Sequence, residues 1–297
     1  MYPHRNGQCV AALRCVQSVQ CLVSEGCAVS SESSTNDPKI DMSVPHSARV
    51  WNYWLGGKDN FAADRELGDQ IAGFFPDIVG IARASRGFLV RAVGFLAGTA
   101  GIHQFLDVGT GLPTFDNTHE VAQRLAPESR IVYVDHDPLV LVHARALLTS
   151  SPEGFTDYID ADLRNPDQIL EEAARILDFS QPVALMMLGI LGHMVDYDEA
   201  RSIVTRLVAK LPSGSYLVIN DGTNVVNPEA RNAATQATID AGVPYIGRGP
   251  EQIAGFFDGL ELIEPGVVSS PRWRPDQDIA DGLPDEVDVF CGVARKP

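Results

Sequence analysis

The chain has 297 residues, 45% of them hydrophobic, enough for one large globular unit or two modest ones with sizeable cores. Its formal net charge of −16 argues against a nucleic-acid phosphate footprint, which needs clustered lysine and arginine, and against an anionic membrane surface. No stretch is apolar for long enough to span a bilayer, so neither a nucleic acid nor a membrane is expected as a partner.

The run from Cys9 to Val29 leans apolar, but Arg14, Gln17, Gln20 and Glu25 interrupt it. It makes a poor signal-peptide core, and the protein reads as cytoplasmic. Cys9, Cys15, Cys21 and Cys27 recur at a strict interval of six, wider than the close pairs of zinc sites, so no metal is expected there. A reducing compartment disfavours disulfides. The Ser-rich run 30–37 reads as a linker, which makes residues 1–40 a disordered extension or sequence upstream of the true start.

Organised sequence begins near Asp41. Ser47 to Leu55 predicts a short helix, with Ser47 as its cap and Gly56-Gly57 as its stop. A second helix follows to Phe74, ahead of Pro76, and a third runs from Ile78 to Leu96 with Ile81, Phe88, Leu89, Val93 and Leu96 on one face. Residues 41–100 therefore read as a helical N-terminal cap before a domain spanning 101–297.

From 104 onward strands and helices alternate. Strands are predicted at Gln104–Val108, Arg130–Val134, Thr156–Ile159, Pro182–Leu188, Ser215–Asn220, Leu260–Ile263 and Val287–Val293. Cys291 lies in the last of these as a core residue. The helices between them are predicted at 114–125, 139–148, 166–177, 199–211, 228–241 and 250–257. Such alternation implies an α/β fold, a mostly parallel seven-stranded sheet with helices on both faces. The last two strands lack a helix between them and are expected to pair as an antiparallel hairpin at one edge.

In such sheets ligands bind beyond the carboxyl ends of the strands. The first strand ends in Asp107, Gly109, Thr110 and Gly111, a G-x-G turn that lets backbone approach a ligand. Asp135 and His136 end the second strand, and a carboxylate there can accept from both ribose hydroxyls. After the third strand, Asp162 can accept from an adenine amino group while Leu163 packs on the ring. Gly189 ends the fourth. The glycine expected third in a dinucleotide fingerprint is Thr114, and Asp107 would repel a pyrophosphate but suits an ammonium. The charges favour S-adenosylmethionine over NAD.

With these residues in place, four stretches resemble a bacterial family of S-adenosylmethionine-dependent methyltransferases long held as a domain of unknown function. They are RVWNYWLGGKDNFAADR (49–65), FLDVGTGLPTFDNTHEVAQRLAP (105–127), VYVDHDPLVLVHARALL (132–148) and FFDGLELIEPGVVSSPRWRPD (256–276). The resemblance implies a class I methyltransferase fold and S-adenosylmethionine as cofactor, with a methyl acceptor that it does not name. A small molecule is expected. Pro113 departs from the G-x-G-x-G pattern of methyltransferases in general. The GGKDNFAADR segment is expected to fold over the cofactor mouth, with Phe61 and Trp54 packing on the ligand and Asn60 or Asp64 at its amino-acid end. His193 and Tyr197 are the expected catalytic residues, candidates for general base, and His119 reads as a helix-surface residue. Two other readings stay open at this point: a protein that binds S-adenosylmethionine or its demethylated product without catalysis, and an NAD-dependent oxidoreductase.

Overall fold

Strand β1 (Gln104–Val108) is buried along its whole length, and β4 (Ala184–Leu188) along all but its last residue. Strands this apolar need cover on both faces, which parallel sheets obtain from their crossover helices. The computed structural model describes residues 40–147, 150–275 and 282–297. Its sheet has eight strands: β1, β2 (Arg130–Asp135), β3 (Phe155–Asp160), β4, β5 (Tyr216–Gly222), β6 (Glu261–Leu262), β7 (Val268–Ser269) and β8 (Val289–Arg295). The order is β3-β2-β1-β4-β5-β8-β6, with β7 also paired to β8. The first five are mutually parallel, and β8 runs antiparallel to β5, β6 and β7. This is the class I methyltransferase arrangement. The expected antiparallel pair of β6 and β8 lies at one edge of the sheet, with β8 on its inner side. Six of its seven residues are buried, so it takes an inner place, while the exposed two-residue β6 forms the rim. Val268–Ser269 adds an eighth short strand that the sequence pattern does not announce.

Adjacent residues of β1 enter opposite cores, as strand geometry requires. Leu106 and Val108 join Val132, Leu185 and Ile219 against Ile169 and Leu170 of α6 (Pro166–Ala173) and Ile203 and Leu207 of α7 (Tyr197–Lys210). Phe105 joins Ile131, Tyr133, Met186 and Val218 against Phe88, Leu89, Val93 and Leu96 of α3 (Ile78–Gly98) and Val121 and Ala122 of α4 (Thr118–Leu125). The expected lead-in is helical, but α3 is a sheet-covering helix. The preceding helices, α1 (Ser47–Trp54) and α2 (Ala62–Phe74), form a third cluster with α8 (Pro228–Asp240): Val50, Leu67, Ile71 and Phe75 meet Ala234 and Ala237. Lys39–Pro297 is one compact unit. The remaining helices are α5 (Pro138–Leu147) and α9 (Pro250–Ala254).

Helix α4 starts four residues later than expected. Asp116 has φ +51, outside helical backbone, and Asn117 then caps the helix while Glu120 accepts from the Asn117 amide at 2.7 Å. The first four cysteines and the Ser-rich run lie outside the described residues; Cys291 is a free, buried thiol in β8. Among the described residues no helix is long and apolar enough to cross a membrane, and no cluster of three His, Cys, Asp or Glu could hold a metal.

Candidate functional site

The chain runs outward from β1 to β3 and then returns to β4, so β1 and β4 flank the topological switch point. A cavity of about 480 Å³ opens there, at the carboxyl ends of the strands. It is lined at one end by Asp107, Gly109, Thr110, Gly111, Asp135, Asp162, Leu163 and Gly189, and at the other by residues of α1, α2, α3 and α8.

The turn after β1 depends on glycine. Gly109 and Gly111 have φ of +77° and +65°, and Gly109 donates to the Val134 carbonyl at 2.8 Å, which fastens the turn to β2. A Cβ on Gly109 would lie 2.5 Å from Ile190 Cγ1. Gly109→Ala combines that clash with a left-handed backbone costing roughly 1–2 kcal/mol. It is expected to lower both the melting temperature and cofactor affinity, readable by thermal scanning with and without ligand; Gly101→Ala, left-handed but with open space at its Cβ, controls for backbone strain alone.

Asp135 turns back onto this loop. Its Oδ2 accepts from Gly111 N at 2.8 Å, and Oδ1 accepts from His136 N at 2.8 Å and Asp137 N at 3.0 Å. A carboxylate has about four lone-pair positions, so one remains on Oδ2. Asp162 is held by Arg164 N at 2.8 Å, beside Leu163.

Asp107 is buried. Its Oδ2 accepts from Thr118 Oγ1 at 2.6 Å. Burial pushes its carboxyl up to about 6, against the opposing pull of the Thr118 hydrogen bond and the Arg86 charge. Arg86, on α3, also lines the cavity and donates to the carbonyls of Phe115 and Asp116. An acid and a base thus face one end of the cradle. The Thr114 hydroxyl, on the cavity wall, is buried without a protein partner.

Helix α1 forms the roof. His46 Nδ1 lies 2.7 Å from Asp137 Oδ2 and only 3.4 Å from Ala48 N; one nitrogen cannot donate and accept at once, and the shorter contact places the proton toward Asp137. Burial raises the Asp137 carboxyl, but the hydrogen bond and charge of His46 outweigh it and the net shift is downward. The GGKDN segment then wraps the buried Asn52 amide. Asp59 N and Asn60 Nδ2 donate to Asn52 Oδ1 at 3.1 and 3.0 Å, and a Cβ on Gly57 would fall 2.4 Å from that side chain. Asp64, wholly buried, accepts from His46 N at 2.9 Å and Phe61 N at 2.7 Å and lies 3.3 Å from Arg49 Nε.

The far end of the cavity is apolar, with Val50, Trp51, Trp54, Ile71, Ile81 and Val289 on its walls. Its polar groups are Asn52, Ser85, Asn220, His193, Thr235, Thr238, Tyr245 and Arg231. His193 Nδ1 donates to the Pro244 carbonyl at 2.9 Å, which leaves Nε2 as the acceptor nitrogen. Burial lowers its pKa, so the ring is neutral near pH 7.

An S-adenosyl methyltransferase family model matches residues 33–297. A protein of the DUF574 family from Streptomyces avermitilis has 45% sequence identity and a TM-score of 0.83 over 87% of this chain and 100% of its own. A candidate methyltransferase from Thermobifida fusca has 42% identity and a TM-score of 0.80 over 89% of this chain and 99% of its own. The chain belongs to the S-adenosyl methyltransferase family. It is an S-adenosylmethionine-dependent methyltransferase. No curated protein matches it.

Most residues read from the methyltransferase's strand ends meet at this cavity: Asp107, Gly109, Thr110, Gly111, Asp135, His136, Asp162, Leu163, Gly189 and His193 all line it, as does Trp54. Four others do not. Asn60 binds Asn52, Phe61 packs with Leu112, Leu139 and Val140 behind the roof, and Asp64 lies beneath it, so GGKDNFAADR braces α1 and does not cover the mouth itself. Tyr197 is turned away at the start of α7, donating to the Gln252 carbonyl at 2.7 Å and packing on Phe256. His119 is buried and not a surface residue; its backbone N–H and Nδ1 both lie 2.9 Å from the Tyr133 hydroxyl. Sequence reading missed Arg86 and Arg231. Arg231 is the one cation of α8, whereas Arg86 shares α3 with Arg83 and Arg91; no motif surrounds either.

Proposed function

We propose that the methyltransferase modifies an oxygen or nitrogen atom of a small, largely apolar molecule that enters the far end of the cavity. The observation carrying this reading is that the cradle and the apolar chamber are one continuous cavity. The residues present fit the cofactor. The turn offers backbone in place of side chains, as Gly189 has φ +72° and open space where a Cβ would be. Asp135 has one open lone pair for the ribose, Asp162 and Leu163 offer an acceptor and an apolar face to adenine, and Asp107 and Arg86 suit the ammonium and carboxylate of the amino-acid end. Gly109, Thr110 and Gly111 bring backbone beside it, with His136 at the rim.

Bound there, S-adenosylmethionine supplies an electrophilic methyl whose bond to sulfur breaks as the bond to the acceptor forms, leaving a neutral thioether. The protein's work is alignment and exclusion of water, for which effective molarities reach roughly 10⁵–10⁸ M. His193 Nε2, with no hydrogen-bond partner among the described residues, accepts the acceptor's proton. A cytoplasmic site is part of this reading, in keeping with the free thiol of Cys291. Labelled S-adenosylmethionine, supplied with panels of small phenols and amines and with peptides, tests it. Label is expected in a small molecule; incorporation only into peptides would refute the reading.

The Asp107 assignment has a pH signature. The carboxyl is raised to about 6 in the fold, so the anion is lost as pH falls through that value. An ammonium favours the anion, so cofactor affinity should fall from pH 7.5 to 5.5 by calorimetry. Asp107→Asn should bind more weakly at pH 7.5 and lose this dependence. An unchanged slope in the variant would remove Asp107 from the site.

A further inference from the structure

Arg231 lines the cavity beside the apolar walls of α1 and α2, and its setting is unusual. Its side chain comes from α8 and is 94% removed from solvent, at 6% relative exposure. Among the described residues it forms no ion pair within 4.0 Å, and its Nε is buried without a hydrogen-bond partner. It is held by the faces of two aromatic rings and by the charge of Asp221. Its guanidinium carbon lies 5.2 Å from the Tyr245 ring centroid and 5.9 Å from that of Phe75. A Cβ on Gly222 would be 1.5 Å from Nη2, so the guanidinium occupies the place a side chain at the end of β5 would take. Asp221, on the same strand, forms no ion pair with it within 4.0 Å but interacts with its charge; Oδ1 accepts from Tyr245 OH and from Gly222 N at 3.0 Å, Oδ2 is buried without a hydrogen-bond partner, and burial raises the carboxyl's pKa.

A buried guanidinium without a close ion pair leaves donors to satisfy, and one fixed between rings presents a fork matched to a carboxylate. The position also suits an acceptor. The His193 ring is 5.0 Å from that of Tyr245, so one ring is shared by Arg231 and the proposed proton acceptor. We propose that Arg231 binds a carboxylate on the methyl acceptor, and that the acceptor is therefore an apolar-bodied organic acid. Its apolar body lies against Trp51, Trp54 and Ile71, and its nucleophilic atom faces His193 and Gly189. This inference rests on the reading of the far chamber as the acceptor site.

The test uses the full chain saturated with S-adenosylhomocysteine, whose binding is measured first by calorimetry. Phenylacetate, indole-3-acetate and octanoate are then titrated, each against its neutral amide. At least one carboxylate should bind ten or more times more tightly than its amide. Arg231→Gln should abolish that preference and Arg231→Lys should retain part of it, both with unchanged affinity for S-adenosylhomocysteine. Equal binding of acid and amide by the wild-type protein, no binding of any acid, or a preference that survives in Arg231→Gln overturns the proposal. The first and second of these need no variant to fold. Binding of the acids in competition with S-adenosylhomocysteine also overturns it, and marks the failure as one of the acceptor-site reading, whereas simultaneous binding without discrimination leaves that reading standing.

Discussion

Asp64→Ala is expected to lower the melting temperature by about 10 °C and to weaken ligand binding, although Asp64 touches no part of the cavity. The side chain is 0% exposed and ties three pieces together: the entry to α1 through His46 N, the start of α2 through Phe61 N, and the buried Arg49. Removing one member of a buried ion pair leaves the other charged and uncompensated, at a cost of about 3–5 kcal/mol. At roughly 2–4 °C per kcal/mol for a chain of this size, the thermal shift follows. Arg49 also donates to the carbonyls of Asp41 at 3.0 Å and Val44 at 2.6 Å, so part of its charge is dispersed on backbone. Asp64→Asn can still accept one of the two backbone bonds and should lose less. Calorimetric unfolding of both variants decides the matter, and a melting temperature unchanged in Asp64→Ala would show that GGKDNFAADR does not brace the roof.

Replacing Asp135 with alanine should weaken S-adenosylmethionine binding at least tenfold. The carboxylate acts twice. It accepts from Gly111, His136 and Asp137 amides and so shapes the cradle, and its remaining lone pair faces the cavity where a ribose hydroxyl can donate. Hydrogen bonds to a charged group contribute about 1.5–3 kcal/mol each, and about 1.4 kcal/mol corresponds to tenfold in affinity. The sequence reading gave Asp135 both ribose hydroxyls; three backbone donors leave room for one direct bond. Asp135→Asn separates the two roles. It preserves one acceptor oxygen for the loop but presents an amide donor on the other side, so its melting temperature should fall less than that of Asp135→Ala while its affinity falls by a similar factor. Wild-type affinity in both variants would remove Asp135 from the site.

The strand-end wall of the cavity was legible because strand ends are local facts. An apolar run, a G-x-G turn and an acidic residue after the next strand require no knowledge of distant packing. Parallel pairing of β1 with β2, with Val108 opposite Val134, then brings Asp135 to Gly111. The same reasoning misjudged residues whose setting depends on a distant neighbour. GGKDNF is polar and rich in glycine, which suggested a lid; its polarity is consumed internally, around the Asn52 amide of the preceding helix. Tyr197 follows His193 by four residues, yet the chain turns between them and α7 carries the tyrosine toward Phe256. His119 looked like a surface residue of an amphipathic helix until Tyr133 of β2 was placed beneath it.

Sequence alone therefore determined the alternation of strands and helices, the class I methyltransferase fold and the acidic strand ends that line the cavity. These follow from periodicity and from the rule that open α/β sheets bind at their carboxyl edge. Tertiary structure alone decided the far half of the cavity. Arg86 and Arg231 are charged residues within helices, and helical periodicity assigns such residues to solvent. They face inward here because α3 lies on the sheet next to the β1 turn, and because α8 packs against α2 while the following loop returns Tyr245 to the end of β5. That packing joins residues far apart in the chain, and it is what places a buried guanidinium at the end of an apolar chamber.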